Sequence, residues 1–399
     1  MDARRREAIE LEFAKLYGGP PTHWLRAPGR VDLMGSHTDY NDGHVLTMTV
    51  DRDTWIAVRP RDDRRVAIAS LNLPGTADFS LDAIERDPDV PWTDYVRGAA
   101  GVLQQDGTDL AGFDGLLHSS VPFGSGLSSS AAIEIATLLA FDAVSGSQHE
   151  PLELAILGQR VENEFVGVSC GILDQYTSVL GTAGHALLLD CRRLSSRPVA
   201  IAAELAVVIC DTRAPRQLAG SEYDERRAQC EAGAAHIAAR TTAGAATKDP
   251  GMPTITALRD VSLELFEAHE SELPAVVARR CRFILEEDRR VLDLAEVLPT
   301  GDRASLARLF DASFAGAIEL FEIGAPSMLA MHQSMEVAPG LVARRQAGAG
   351  FGGCLVALAE RDAVDAFSAH VSRAYADATG IEPSIFVVEA AAGAGPLTS

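Results

Sequence analysis

The sequence predicts an α+β protein of two domains, and three observations point there. The chain has 399 residues, too long for one ordinary domain and suited to two of roughly 150 to 200 residues each. Strand-like and helically spaced segments alternate in its first half, whereas in the second half long helical stretches separate a few strands. That order favours α+β packing. A polar stretch at 192–199, Arg-Arg-Leu-Ser-Ser-Arg-Pro-Val, reads as a connector and predicts domains over 1–195 and 196–399.

The elements follow in order. Residues 45–51, 54–59 and 65–70 are short apolar runs bounded by polar residues and predict three strands. Helical spacing marks 95–105 and 131–144, and 115–121 has the apolar character of a strand. Residues 152–165, entered through Pro151, predict a helix with Leu154, Ile156, Leu157 and Val161 on one face. Strands are expected at 185–190, 205–210, 354–359 and 385–389, with helices across 221–298 and at 361–378.

Composition narrows the function. Hydrophobic residues make up 47% and charged residues 23%, as in a globular protein with a sizeable core. A formal charge of −21 argues against nucleic acid as a partner. Any anionic substrate must therefore be held by a local cluster of donors, a cation, or both. The six cysteines are scattered without CxxC spacing, which predicts reduced thiols in a cytoplasmic protein and neither zinc nor disulfides. The charged start, Met-Asp-Ala-Arg-Arg-Arg-Glu, reads as a helix and not as a leader. The most apolar long run, 131–144, carries Glu134 and Asp142 and is too short to span a membrane. Without a coiled-coil or long exposed apolar segment, a monomer is expected.

Chemistry concentrates in four segments. Residues 122–132 read Pro-Phe-Gly-Ser-Gly-Leu-Ser-Ser-Ser-Ala-Ala, a glycine turn between a strand and an apolar helix. Unpaired amides at such a helix start favour phosphate. A serine N-cap is the plain alternative, and the lysine of a P-loop is missing. Residues 26–43 bring Arg30, Asp32, His37 and Asp39 into a glycine-bearing loop before an apolar strand. Here Arg30 suits a transferring phosphoryl group and Asp39 suits sugar-like hydroxyls. Residues 162–176 carry Glu162 near a helix end and Asp174 after Ile172 and Leu173, where it is either a cap or a functional carboxylate. Residues 347–354, Ala-Gly-Ala-Gly-Phe-Gly-Gly-Cys, imply backbone passing close to a neighbour or a tight inter-domain turn.

Together these segments resemble the signature motifs of the GHMP kinases, and within them the galactokinase-like sugar-1-kinases. The matches run in the family's order from about Arg26 to Cys354, with Cys170-Gly-Ile-Leu-Asp-Gln and Ser221-Glu-Tyr-Asp-Glu-Arg-Arg-Ala-Gln-Cys-Glu as secondary matches. The resemblance implies a ribosomal-protein-like N-terminal domain, a ferredoxin-like C-terminal domain and an active site in the cleft between them. It implies that Asp174 acts at the sugar's C1 hydroxyl, as general base or electrostatic partner, with Arg30 beside it. Ser130 and Glu162 would hold Mg²⁺. Residues Gly124, Ser125, Gly126, Leu127, Ser128 and Ser129 would cradle the ATP phosphates, joined by Gly348 and Gly350. Trp92 and Tyr95 would lie near the nucleotide base, with core packing as their alternative. Ser36, His37, Asp39, Gly171 and Tyr223 would face the sugar.

The motifs also depart from the family. Ser36 stands where galactokinases carry the glutamate that binds the C6 hydroxyl, so galactose, L-arabinose and galacturonate all stay open as acceptors. Kinases for the latter two are similar in having a small residue there. Asp32 and Met34 replace the usual Asn and Ile, and Ala347 a usual Thr near the phosphates. A sensor that binds sugar and ATP without turnover is a third reading, against which the intact Arg30, Ser128, Ser130, Glu162 and Asp174 speak.

Overall fold

The computed structural model describes residues 2–214, 219–243 and 254–397. Helix α1 (Ala3–Tyr17) is capped by Asp2, whose carboxylate accepts from the amides of Arg4 and Arg5. The first half continues with β1 (His23–Met34), β2 (His44–Arg61), β3 (Arg65–Ser70), β4 (Thr76–Ser80), α2 (Asp94–Gln105), β5 (Gly112–Ser119), α3 (Ser129–Ser145), α4 (Pro151–Arg160), α5 (Leu173–Leu180), β6 (His185–Asp190) and β7 (Ser195–Ala200). The second half comprises β8 (Leu205–Asp211), α6 (Ala219–Ala243), α7 (Leu263–His269), α8 (Ala275–Val297), α9 (Arg303–Glu319), α10 (Pro326–Ser334), β9 (Leu341–Gln346), β10 (Cys354–Glu360), α11 (Val364–Thr379), β11 (Ser384–Val388) and β12 (Gly395–Pro396).

Two sheets result. The larger has the order β12-β1-β2-β5-β3-β4, with β6 joined to β2 and β7 to β6; the smaller has the order β11-β8-β10-β9. All pairs are antiparallel except β3 with β5. One core packs helices α2 to α5 on the larger sheet, around Ile56, Val58, Phe113, Phe141 and Leu154. A second core joins the sheets, because Val31, Met48 and Leu188 of the larger share it with Val207, Ile209 and Val356 of the smaller. Leu294 of α8 and Phe310 of α9 complete it. The α+β expectation therefore holds, and the shared core fixes the cleft between the two sheets.

Several elements differ from their prediction. The runs at 45–51 and 54–59 form one strand, because the charged triplet Asp51-Arg52-Asp53 is no turn: Arg5 and Arg26 hold the Asp53 carboxylate at 2.5 and 2.9 Å. Arg26 to Met34 lie on a strand rather than in a loop, which occupies only 35–43. The connector at 192–199 is half strand, since β7 pairs with β6 and is polar because Ser195 to Arg197 are exposed. The first sheet thus extends past residue 195, and β12 returns from the C-terminal end to pair with β1. The helix expected at 152–165 stops at Arg160 and widens into a π-turn over Val161–Val166. Ile156 leaves its predicted face and is exposed, while Leu154, Leu157 and Val161 are buried. None of the six cysteines is in a disulfide. No described helix is long and apolar enough to cross a membrane.

Candidate active site

A cleft of about 490 Å³ opens where β1, the start of α3, the 167–174 segment and the loop before β10 meet. Register shifts in the β1–β2 pairing flank Arg30, between Pro28 and Arg30 and between Asp32 and Met34. Irregularities of this kind re-aim side chains, and residues two apart on a strand share a face. Arg30 and Asp32 both line the cleft.

Asp174 enters from α5, which is fastened to β1 by Ser178 Oγ donating to the Pro28 carbonyl at 2.7 Å. Arg30 meets Asp174 Oδ1 through Nε at 2.8 Å and Nη2 at 2.5 Å. Its Nη1 donates to the Gly126 carbonyl at 2.6 Å, so one guanidinium ties the carboxylate to the glycine turn. Burial alone would lower the Arg30 pKa, but Asp174 and Asp32 outweigh it and hold the group above its ordinary value. It is a permanent cation.

The glycine turn runs through Gly124 and Gly126 at φ +72° and +94°, a region open to glycine. Ser128 follows at φ +56°, caps nothing, and points its hydroxyl at Asp174 Oδ2, to which it donates. A non-glycine residue held in this conformation marks a site that the surrounding structure over-determines. The serine N-cap alternative therefore gives way. Ser125 and Leu127 do not line the cleft: Ser125 Oγ donates to the Pro122 carbonyl at 2.9 Å, and Leu127 is buried in the second core. Their carbonyls serve as tethers instead, accepting from Cys354 N at 3.0 Å and Arg30 N at 3.1 Å.

Gly124, Gly126, Ser128, Ser129, Ser130, Glu162, Tyr95 and Gly348 border the cleft. Trp92 does not, because its indole donates to the Pro74 carbonyl at 3.0 Å and its ring packs on the first core. Gly350 packs against Ile323. Ala347 is wholly buried in the second core. On the other side lie Ser36, His37, Asp39, Gly171 and Tyr223. His37 is a brace: Nε2 bonds the Ala349 carbonyl at 2.9 Å and Nδ1 the Tyr40 hydroxyl at 2.8 Å. Burial pushes its pKa down to about 4, so it is neutral near pH 7. Ser36 is 1% exposed, donates to Asp32 Oδ2 at 3.0 Å, and lies 3.4 Å from Arg345 Nη2. Burial, and then the neighbouring Asp174, raise Asp39 to about 7.

Glu162 sits on the π-turn beside the phosphate turn, with Ser130 Oγ bonded to its carboxylate. Burial, and then the charge of Asp174, push its pKa up. Oxygen donors in this concentration, close to a glycine turn and joined by no arginine or lysine but Arg30 among the described residues lining the cleft, fit a hard divalent ion. Sequence reasoning missed the Ser128 side chain, which meets Asp174 only through the fold. It also missed Gln175, although that residue lies inside a matched segment, and Glu134, which reads as an interruption of an apolar helix.

A glycine turn at a helix start, a cation-clamped carboxylate and a carboxylate–hydroxyl pair in one cleft are the groups expected of a small-molecule kinase of the GHMP class. Two family models match: the galactokinase galactose-binding signature over residues 11–60 and the GHMP kinases N terminal domain over 94–182. The chain is 42% identical over 387 residues to a galactokinase of Roseiflexus sp. (strain RS-1), covering 97% of this chain and 96% of that protein. It superposes on Lactococcus lactis galactokinase complexed with galactose with a TM-score of 0.91, 30% identity and coverage of 98% and 100%. Methanococcus jannaschii mevalonate kinase shares the fold at a TM-score of 0.63 and 16% identity, over 93% of this chain and 99% of that one. The chain belongs to the galactokinase family of the GHMP kinases.

Proposed function

We propose that the protein transfers the γ-phosphoryl group of ATP to the C1 hydroxyl of galactose, giving the sugar 1-phosphate and ADP. The observation that carries this reading is the Asp174 carboxylate, held between Arg30 and Ser128 beside the glycine turn. In this reading the sugar lies against Asp39, Gly171 and Tyr223 with C1 toward Asp174. Asp174 accepts the hydroxyl proton as the oxygen attacks. Arg30 holds that carboxylate in place and stabilises charge on the group in flight. The amides from Gly124 to Ser129 receive the phosphates. Ser130 and Glu162 are the residues that would hold Mg²⁺, which supplies neutralisation of the β- and γ-phosphate oxygens when bound. A monomer acting on ATP and a free sugar is the simplest assembly consistent with this site.

One observation favours a second acceptor, L-arabinose. The Ser36 hydroxyl is already engaged by Asp32 and Arg345, so it is not free to read an added C6 group. Galacturonate is disfavoured, because its carboxylate would meet Asp32 and Asp39 in the same cleft. ADP release measured with galactose, L-arabinose, galacturonate and N-acetylgalactosamine tests the assignment. Turnover greatest with galactose supports it; sugar binding without ADP release from any acceptor refutes it.

A further inference from the structure

Behind the cleft lies a polar contact that the proposed chemistry does not use. Gln175, the residue after Asp174, is wholly buried and donates through Nε2 to Glu134 Oε2 at 2.9 Å and to Glu162 Oε2 at 3.0 Å. A carboxamide nitrogen has two hydrogens, one for each carboxylate. The two acceptors also fix which end of the amide is nitrogen. Glu134 lies on α3, the helix entered from the phosphate turn, and is itself fully buried.

We propose that Gln175 is the positioning residue that builds the cation site, orienting Glu162 while Glu134 anchors the amide. The inference rests on the reading of Glu162 as a Mg²⁺ ligand. Glu162 stands on a π-turn and lacks the support of a regular helix. Its Oε2 is drawn inward by Gln175 and by Cys170 Sγ at 3.4 Å, which fixes the carboxylate plane beside Ser130. Gln175 Oε1 and Glu134 Oε1 are buried without a hydrogen-bond partner. An unmatched buried polar atom is costly, and packing alone would remove that cost by placing apolar residues there. The arrangement makes sense if the amide serves the carboxylate in front of it. Because Asp174 and Gln175 are consecutive on α5, the base and the cation site are set by one short helix. Partners behind metal ligands act in this way elsewhere.

The test is direct binding of Mn²⁺ to the full-length protein with ADP, followed by electron paramagnetic resonance, alongside the Mg²⁺ dependence of turnover. Gln175→Met should weaken Mn²⁺ binding about 10- to 100-fold, with ADP affinity in metal-free buffer unchanged and the lost turnover recovered by added Mg²⁺. Gln175→Asn, which keeps both N–H groups on a shorter stem, should lose less. Glu134→Gln should shift Mn²⁺ binding in the same direction. Unchanged Mn²⁺ affinity in Gln175→Met, or a loss in Gln175→Asn as large as in Gln175→Met, with Glu162→Gln still abolishing binding, overturns the role of Gln175 alone. Intact Mn²⁺ binding in Glu162→Gln overturns both that role and the reading of Glu162 beneath it.

Discussion

Arg30 and Asp174, 144 residues apart in the chain, meet through two guanidinium nitrogens on a single carboxylate oxygen, at 2.8 and 2.5 Å. The second oxygen accepts from Ser128. Asp174 is therefore steered from both sides, by a cation on the first sheet and by a hydroxyl on the phosphate turn. A carboxylate so held is suited to receive a proton from an alcohol placed beside it.

Asp174→Asn keeps the shape and removes the basic oxygen. Turnover should fall by about 10²–10⁴-fold, the span that general bases contribute, while ATP binding measured by calorimetry stays essentially as before. Near-normal rates in this variant would show that the proton leaves by another route. Asparagine also releases Arg30 from its partner, so a change in nucleotide affinity would point to the guanidinium instead of the base.

Asp39 predicts a pH dependence of sugar binding. Burial, and then Asp174, raise its pKa from 3.8 to about 7, so it is protonated below that value and ionised above it. In the proposed reading Asp39 accepts from sugar hydroxyls, and its ionised form is the stronger acceptor. The kcat/KM for sugar should therefore fall toward acid below about pH 7, by about tenfold per unit at the limit. The same shift acts on stability with a definite sign. Between about pH 4 and 7 the folded state holds a proton that the unfolded chain has released, so this group's contribution declines as pH rises through that window. Asp39→Asn should flatten both profiles, and a variant that retains the acid limb would assign it to a different group.

The outline of this site was legible because its four chemistry-bearing segments are each contiguous in sequence and chemically unusual. Arg30, Glu162 and Asp174 could be named from those segments and their family resemblance. What stayed hidden depends on distance through space. Ser128 looks like an N-cap until its backbone proves left-handed and its hydroxyl faces Asp174. Trp92 resembles a residue near the nucleotide base, with core packing as its alternative, until its indole is found bonded to the Pro74 carbonyl. Strand continuity through Asp51 to Asp53 was hidden for the same reason, because the arginines that satisfy Asp53 come from α1 and β1. The second half was legible as strands and helices, but β9 went unpredicted, because its charged and polar residues Arg344, Arg345 and Gln346 break the apolar pattern of a buried strand and the fold buries Arg345 against Glu287 at 3.4 Å.

Ser36→Glu tests which part of the sugar the cleft reads at that side. The position is 1% exposed between Asp32 and Arg345, so the longer side chain is overpacked and should cost about 1–3 kcal/mol of stability. It also adds an acceptor that serine does not offer. The ratio of kcat/KM for galactose over L-arabinose should rise, and thermal melting should record the lost stability separately. An unchanged ratio in a folded variant removes Ser36 from the residues that set specificity.

Gly171→Ala tests the sugar side from its backbone. A Cβ built at Gly171 would lie 1.9 Å from Asp39 Oδ2, far inside contact distance. The Asp39 carboxylate would have to swing away, because Gly171 is held between the π-turn segment and α5. Its φ is not in the left-handed region, so alanine introduces no backbone strain and the clash is the whole effect. Losing a hydrogen bond to a charged group costs about 1.5–3 kcal/mol, which corresponds to roughly 10- to 150-fold in affinity. The KM for sugar should rise by that order, the KM for ATP should hold, and kcat at saturating sugar should fall far less than in Asp174→Asn. Combining Gly171→Ala with Asp39→Asn should cost little beyond Asp39→Asn alone, since both act through one carboxylate. Additive losses in the double variant would mean that Gly171 serves the sugar by some other contact.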